Sequence, residues 1–132
     1  MSHKYLEKIP AAIKAYTAGT AADDYRQERW ATEREEYSFD ERETWNLNST
    51  FYAWLYEHLQ MYKERAGKMV NLEYHTFEYE GKTYTQLEMI DQICEMIEFF
   101  FSSEFEEWDE KCWKYVSNIE RMWAVVMPTM WW

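Results

Sequence analysis

The scarcity of turn-forming residues constrains the fold of this chain more than any other feature, because only three glycines and two prolines occur among its 132 residues. A protein built from many short strands needs a turn about every 8 to 12 residues, and Gly and Pro mark most such turns. The sequence therefore favours helices with few connections. We predict a mainly α fold: a single-domain helical bundle of about four to five helices over residues 1–132, with 1–36 as an N-terminal helical segment and 37–132 as its core.

Apolar residues recur at the three- and four-residue spacing that is typical of helices. Helical segments are predicted from about residue 4 to 18, after Thr20, and from about residue 49 to Gly67. Two capping-box patterns, Thr85-x-x-Glu88 and Ser103-x-x-Glu106, predict the starts of two later helices. Between Gly67 and Thr85, polar and apolar residues alternate around Glu80-Gly81-Lys82. This pattern leaves open either a short β-hairpin near residues 72–85 or an ordered loop.

Acidic residues are concentrated in one window of the chain. The net charge is −11, and the 23 residues from 88 to 110 contain no Lys or Arg. A surface of this sign repels nucleic acid and anionic membranes and suits a basic protein partner. The nine acids of the window are the candidate partner-binding residues: Glu88, Asp91, Glu95, Glu98, Glu104, Glu106, Glu107, Asp109 and Glu110.

Four of these acids, Glu88, Asp91, Glu95 and Glu98, fall on one face of a predicted helix, about 5 Å apart along its axis. That spacing is of the order of the distance between phosphates on one nucleic-acid strand, so the row resembles a nucleic-acid backbone in charge. The face has a second interpretation, because the polar side of an amphipathic helix is hydrophilic and acids increase solubility. Both interpretations are open at this stage.

The stretch FDERETWNLNSTFYAWL (residues 39–55) is interpreted as a structural connection. Asp40 is predicted to cap a turn, with Thr44 bonding locally. Asn46 or Asn48 has the side chain to cap the helix that follows. Trp45 and Leu47 flank this cap and are predicted to pack the entering chain onto the core.

Motifs for catalysis, phosphate binding and metal binding are absent from the sequence. There is no Gly-rich phosphate loop, no Gly-x-Ser-x-Gly and no Cys-x-x-Cys, and the three histidines lie far apart. We therefore predict that the protein is not an enzyme and has no catalytic residue, cofactor or metal site. Cys94 and Cys112 lie in separate predicted helices and are expected to be reduced.

The C-terminal residues Trp131 and Trp132 follow Pro128, so they cannot continue the last predicted helix. Either they fold back onto the bundle, or they form an aromatic contact patch for a partner, which includes a second copy of the chain. A homodimer is therefore one of the possible oligomeric states.

The stretch from residue 38 to 64 resembles a family of small acidic proteins encoded by tailed bacteriophages and prophages. The resemblance rests on an Asp-x-x-Thr-Trp-x-Leu-Asp/Asn element, on EEWDE, and on the Trp-rich C-terminus. Thr44, Trp45, Leu47 and Asn48 match the element in register, and Asp40 lies one residue further upstream of Thr44 than the element has it. It covers roughly residues 37 to 132 and brings no catalytic residues with it. The resemblance implies a phage origin and action in the cytoplasm of an infected bacterial host.

Together, the acidic row and the phage resemblance lead to the hypothesis of an inhibitor of a bacterial defence protein, an anti-CRISPR protein or similar. Its partner would be a nuclease or CRISPR effector with a basic surface, and it would bind neither nucleic acid nor a membrane directly. Two other classes remain open: a self-associating structural or regulatory phage protein, and a small-ligand or nucleotide binder with an aromatic pocket.

Overall fold

The computed structural model describes residues 2–132, which form six α-helices, three short 3₁₀ helices and one two-stranded antiparallel sheet. The α-helices are α1 (Gln27–Tyr37), α2 (Arg42–Trp45), α3 (Leu47–Ala66), α4 (Gln86–Phe100), α5 (Glu110–Val116) and α6 (Asn118–Val126). The 3₁₀ helices are Lys4–Leu6, Pro10–Ala15 and Met127–Thr129, and the strands are β1 (Thr76–Tyr79) and β2 (Lys82–Thr85). The predicted mainly α fold is confirmed, and the region near residues 72–85 forms the hairpin.

The chain divides into two compact units, Met1–Leu55 and Tyr56–Trp132, and α3 contributes residues to both. The single domain predicted over residues 1–132, with its division after residue 36, stays a prediction.

The N-terminal residues form two 3₁₀ helices in place of the continuous helix predicted from about residue 4 to 18. Pro10 occupies the first turn of the second one, where its missing N–H is tolerated, and Gly19 then has a φ of +68° that no helix continues. The start predicted after Thr20 is also wrong. The Thr20 hydroxyl accepts a 2.7 Å hydrogen bond from Arg42, and α1 begins later.

Trp30 of α1 is fully buried, and two copies of one short motif contact its ring. In Asp24-x-Arg26 and in Asp40-x-Arg42, the carboxylate accepts hydrogen bonds from both the backbone N–H and the guanidinium of the arginine. The two guanidinium carbons lie 4.9 and 4.3 Å from the Trp30 ring centre. The carboxylates therefore orient both cations against the indole face, which adds a cation–π attraction to the burial of the ring.

The predicted structural residues around α2 have mixed outcomes. Asp40 is 2% exposed and closes a turn through the Arg42 backbone, and the Thr44 hydroxyl donates to the Glu41 carbonyl at 2.6 Å, as predicted. The capping role of Asn48 is wrong, because α3 already begins at Leu47. The Asn48 side chain accepts from the adjacent Ser49 N–H within the first turn.

Trp45 and Leu47 do not pack into the core as predicted. Trp45 keeps 45% of its surface exposed and meets the buried Trp30 ring edge-on, with 5.8 Å between ring centres. Leu47 is more exposed still. Trp30 of α1 is instead the fully buried tryptophan of this unit.

In the C-terminal unit, the hairpin and α4 follow the end of α3. Strand β1 pairs with β2 in the register Thr76↔Thr85 to Tyr79↔Lys82, and the turn residues Glu80 and Gly81 both have positive φ. Thr85 then caps α4 directly. Its hydroxyl accepts from the Glu88 N–H, and the Glu88 carboxylate accepts from the Thr85 N–H. The first predicted capping box is therefore confirmed.

The second predicted capping box, at Ser103 and Glu106, is wrong. The next helix, α5, begins at Glu110, where Asp109 is the N-cap and accepts from the Lys111 N–H at 2.8 Å. A break at Ser117 then separates α5 from α6. The Asn118 side chain donates to two carbonyls of the preceding turn, which competes with continued helical bonding.

Helix α4 packs against α5, α6 and β2, and its apolar face supplies much of the core of this unit. Cys94 is buried on that face with a free thiol, and burial raises its pKa to about 12. Cys112 of α5 is half-buried and also has a free thiol. The fully buried apolar side chains of α4 and α6 are Met89, Ile90, Ile93, Met96, Ile97, Ile119 and Val126.

Candidate acidic interaction surface

The four acids predicted to share one face of a helix do so in α4. Glu88, Asp91, Glu95 and Glu98 are all exposed, while the intervening apolar residues face the core. The three- and four-residue spacing of the acids produces this arrangement, because the helix has about 3.6 residues per turn. The predicted acidic face therefore exists as a continuous exposed side of α4.

Three of the four carboxylates, however, already make intramolecular bonds. Glu88 belongs to the capping box, Asp91 is 3.0 Å from the Lys63 ammonium, and Glu98 accepts a 2.9 Å hydrogen bond from the Tyr56 hydroxyl. Burial, and then this hydrogen bond, raise the pKa of Tyr56, which keeps its hydroxyl protonated as a donor. Three members of the row thus contribute to the packing of α3 on α4 or to the start of α4.

Glu95 differs from the other members of the row. It is exposed, and it forms no hydrogen bond or ion pair with the other residues that the structure describes. Its carboxylate is therefore fully available to an external cation.

An aromatic cluster fixes the segment that connects α4 to α5. Phe99 and Phe100 at the end of α4 pack against Phe105, with ring centres 5.9 and 4.8 Å apart. Phe105 in turn meets Trp113 of α5 at 5.0 Å, and the Trp113 indole N–H donates to the Glu107 carbonyl at 2.7 Å. These contacts pack the acidic segment between residues 101 and 109 against both helices.

The five acids of this segment and of the start of α5 have different roles. Asp109 is half-buried because it caps α5, and Glu106 is half-buried as well. Glu104, Glu107 and Glu110 are exposed, and their side chains bond to no other residue in the described part of the chain. Trp108, which stands between Glu107 and Asp109 in the sequence, is 82% exposed.

We define the acidic surface as Glu95, Glu104, Glu107 and Glu110 together with Trp108. It lies on α4, on the connecting segment and on the first residue of α5, and the chain from 88 to 110 has no basic residue. Lys111 and Lys114 follow on α5 and limit the surface on that side. Exposed carboxylates without an intramolecular bond can bind cations, and an exposed indole in the same segment can bury apolar surface against a partner.

The C-terminal tryptophans line a separate cavity of about 550 Å³ in the C-terminal unit. Trp131 is 81% exposed and Trp132 is also exposed, yet both border this cavity beside Tyr62 and Tyr74. Trp131 and Trp132 thus lie against the C-terminal unit, which agrees with the alternative that the chain end folds back. Both rings still expose part of their surface to solvent.

Three residues that matter here were not identified from the sequence. Tyr56 and Lys63 of α3 bond to acids on the α4 face, at sequence separations of 42 and 28 residues. Gln86 lines the cavity and forms hydrogen bonds with Tyr62 and Thr129. Such pairings depend on tertiary packing, so no local pattern marks them. The one sequence signal at Gln86 is its place as the first residue of α4, directly after the capping Thr85.

Among residues 2–132, no group of three or more His, Cys, Asp or Glu side chains is placed to hold a metal ion. Within the same residues, no helix is both long and apolar enough to cross a bilayer.

Comparisons with protein-family models, with curated proteins and with solved structures found no match to this chain.

Proposed function

We propose that the protein is an inhibitor that binds a basic, nucleic-acid-binding surface of a bacterial protein through the acidic surface. Following the phage resemblance, the partner class is a host defence nuclease or CRISPR effector, and the site of action is the cytoplasm of the infected cell. Inhibition results from occlusion, because the partner's cationic groove is filled by protein carboxylates and closed to nucleic acid.

The observation that supports this proposal is the set of four exposed carboxylates without an intramolecular hydrogen bond or ion pair among the described residues, three of them in the stretch 104–110 that also carries the exposed Trp108. Carboxylates that already form bonds gain little from a new cation, whereas free ones can each accept hydrogen bonds from Arg or Lys. The aromatic cluster of Phe99, Phe105 and Trp113 keeps the connecting segment in place, so binding requires little further ordering.

Charge accounts for the selection of a basic partner. With a net charge of −11, the protein attracts cationic surfaces over a distance set by the ionic strength and repels nucleic acid. Trp108 adds apolar burial at the contact, and tryptophan is enriched among the residues that contribute most to protein–protein affinity. The partner is therefore expected to combine Lys or Arg side chains with an apolar recess.

The test compares two variants with the same change in net charge. The surface variant replaces the four carboxylates of the acidic surface by amides. The control variant replaces four exposed acids of the N-terminal unit that make no side-chain bonds among residues 2–132: Asp23→Asn, Glu28→Gln, Glu35→Gln and Glu36→Gln.

Each immobilised protein is incubated with the heparin-binding fraction of a bacterial lysate, which is enriched in proteins with basic nucleic-acid-binding surfaces. We expect the wild type and the control variant to retain the same partner at low salt and to release it near 0.5 M salt. The surface variant should bind at least about tenfold more weakly. The purified partner should then lose nucleic-acid binding when the wild type is added, measured by gel mobility shift.

Equal binding by the surface variant and the wild type would contradict the proposal, and so would a partner that binds nucleic acid and this protein simultaneously. Trp108→Ala provides an independent measurement, because the side chain is almost fully exposed and its removal should leave the fold unchanged. We expect it to weaken partner binding by about tenfold or more.

A further inference from the structure

The cavity beside the C-terminal tryptophans has the size of a small-molecule site. Its volume of about 550 Å³ falls within the range of about 300 to 1,000 Å³ that is usual for ligand pockets. All the residues that line it belong to the C-terminal unit, and none of them belongs to the acidic surface.

Aromatic rings form much of the lining. Tyr62 comes from α3, Tyr74 from the segment before the hairpin, and Trp131 and Trp132 from the chain end. Rings that converge on one cavity from three parts of the chain offer π faces to a flat ligand, and each stacked ring stabilises such a ligand by dispersion and apolar burial.

A buried carboxamide supplies the polar recognition. Gln86 is 4% exposed and lines the same cavity. Its Oε1 accepts from the Tyr62 hydroxyl and its Nε2 donates to the Thr129 hydroxyl, both at 3.3 Å. A carboxamide has two N–H groups and two oxygen lone pairs, so one N–H and one lone pair are not used by these two hydrogen bonds.

The residues that line the cavity carry no formal charge when His75 is neutral. Among the described residues that line it there is no Lys, Arg, Asp or Glu, and the other polar members are Asn71, His75 and Thr129. A phosphate would find no cation here, and the acidic chain would repel it. A simple ammonium or quaternary ammonium ligand would find no counter-ion and would leave the paired donor and acceptor of Gln86 unused.

We propose that this cavity binds an uncharged planar heterocycle of the nucleobase type, as the free base or the nucleoside. The base stacks on the aromatic rings, and its adjacent donor and acceptor pair with the remaining N–H and oxygen lone pair of Gln86. Asparagine and glutamine carboxamides recognise base edges in this two-bond manner in nucleic-acid complexes. The site is independent of the proposed inhibitory function, since the two surfaces share no residue.

Isothermal titration calorimetry tests the proposal with six probes: adenosine, guanosine, cytidine, uridine, adenosine 5′-monophosphate and choline. We expect at least one nucleoside to bind with a dissociation constant below 1 mM. If adenosine is the nucleoside bound, its monophosphate should bind about tenfold or more weakly, because the net charge of the chain is negative. The absence of binding by all four nucleosides at 1 mM would overturn the proposal, and binding of choline alone would do the same.

Variants locate the site. Trp131→Ala should weaken nucleoside binding about tenfold or more, while Trp131→Phe should retain most of it, because a phenyl ring still stacks. Trp131 is 81% exposed, so neither change should affect folding. Trp108→Ala is the matched control, since it removes an equally exposed indole outside the cavity and should leave nucleoside affinity unchanged.

Gln86→Met tests the polar recognition separately, with a side chain of similar length that lacks both hydrogen-bonding groups. It should reduce nucleoside affinity by about tenfold or more, and thermal melting shows whether the variant is folded. Unchanged affinity in Trp131→Ala, or an equal loss in Trp108→Ala, would overturn the assignment of the site even if Gln86→Met failed to fold.

Discussion

At the scale of single residues, the most consequential contact is the buried ion pair of Asp40 and Arg42. Both side chains are almost inaccessible, and Arg34 adds a third charge with a 2.5 Å contact to the same carboxylate. Burial alone would favour the neutral carboxylic acid, but the hydrogen bonds from Arg42 and Arg34 outweigh it, and the pKa of Asp40 lies below its ordinary value. The Asp40 carboxylate is therefore ionised at neutral pH.

We predict that Asp40→Asn lowers the free energy of unfolding by about 3 kcal/mol at pH 7, because it leaves the buried Arg42 guanidinium without its charge partner. Since the pKa of Asp40 is depressed in the folded state, its contribution is complete above the unfolded pKa near 4 and is lost as the pH falls through the lower folded pKa. The wild type should thus lose stability below about pH 4, and Asp40→Asn should lose less over that interval. Urea unfolding at pH 7 and pH 3 measures both effects.

Asp24→Asn is the matched control, because Asp24 forms the same bonds to Arg26 in a more accessible place. The hydrogen bond from the Arg26 side chain, and then that from its backbone, lower the pKa of Asp24 to about 2. Solvent screens this pair, so the substitution should cost clearly less than Asp40→Asn. Equal losses in the two variants would contradict the argument from burial.

At the scale of secondary-structure elements, two segments with the same capping-box pattern have different structures. Thr85-x-x-Glu88 caps α4, whereas Ser103-x-x-Glu106 lies in a connection where Phe105 packs against Trp113 of α5. The pattern describes only what backbone and side chain can do locally. Tertiary packing determines where it operates.

We predict that Thr85→Ala lowers the free energy of unfolding by about 1 kcal/mol, because the Glu88 N–H loses its acceptor at the start of α4. Ser103→Ala, at the pattern that does not cap a helix, should change it by less than about 0.5 kcal/mol. Chemical denaturation of both variants measures the difference, and a similar loss in each would mean that Ser103 also caps a helix in solution.

The same distinction explains which parts of the candidate site the sequence could predict. Periodicity placed Glu88, Asp91, Glu95 and Glu98 on one exposed face, because the helical repeat is a local property. It could not show that Lys63 of α3 neutralises Asp91, since that pairing exists only once α3 packs on α4. Composition likewise predicted helices, but the burial of Trp30 between the Asp-x-Arg motifs at residues 24–26 and 40–42 depends on how the loops on either side of α1 pack, which no periodicity marks.

At the scale of the whole molecule, the net charge of −11 acts on folding and on binding in opposite directions. Like charges in the folded chain repel one another, and salt screens that repulsion within a Debye length of about 8 Å at physiological ionic strength. Salt would also screen the attraction of the acidic surface for the basic partner that we propose. Stability and partner affinity should therefore change oppositely with ionic strength.

We predict that the melting temperature rises by about 2 to 5 °C between 20 mM and 500 mM NaCl, because self-repulsion decreases while the buried Asp40–Arg42 pair is screened little. The surface variant, with four fewer negative charges, should show a smaller rise. Calorimetry or circular dichroism at the two salt concentrations provides the measurement. A melting temperature that falls with salt would mean that attractive ion pairs outweigh the repulsion.

The different surroundings of the two cysteines make single-site chemical labelling feasible without mutagenesis. Cys94 is buried with a thiol that stays protonated at neutral pH, whereas Cys112 on α5 is partly accessible. Maleimide reagents react with the thiolate of accessible cysteines, so a fluorophore would attach to Cys112 in the native protein. Because α5 begins within the acidic surface, the emission of that dye would report the arrival of a partner there in the unmutated chain.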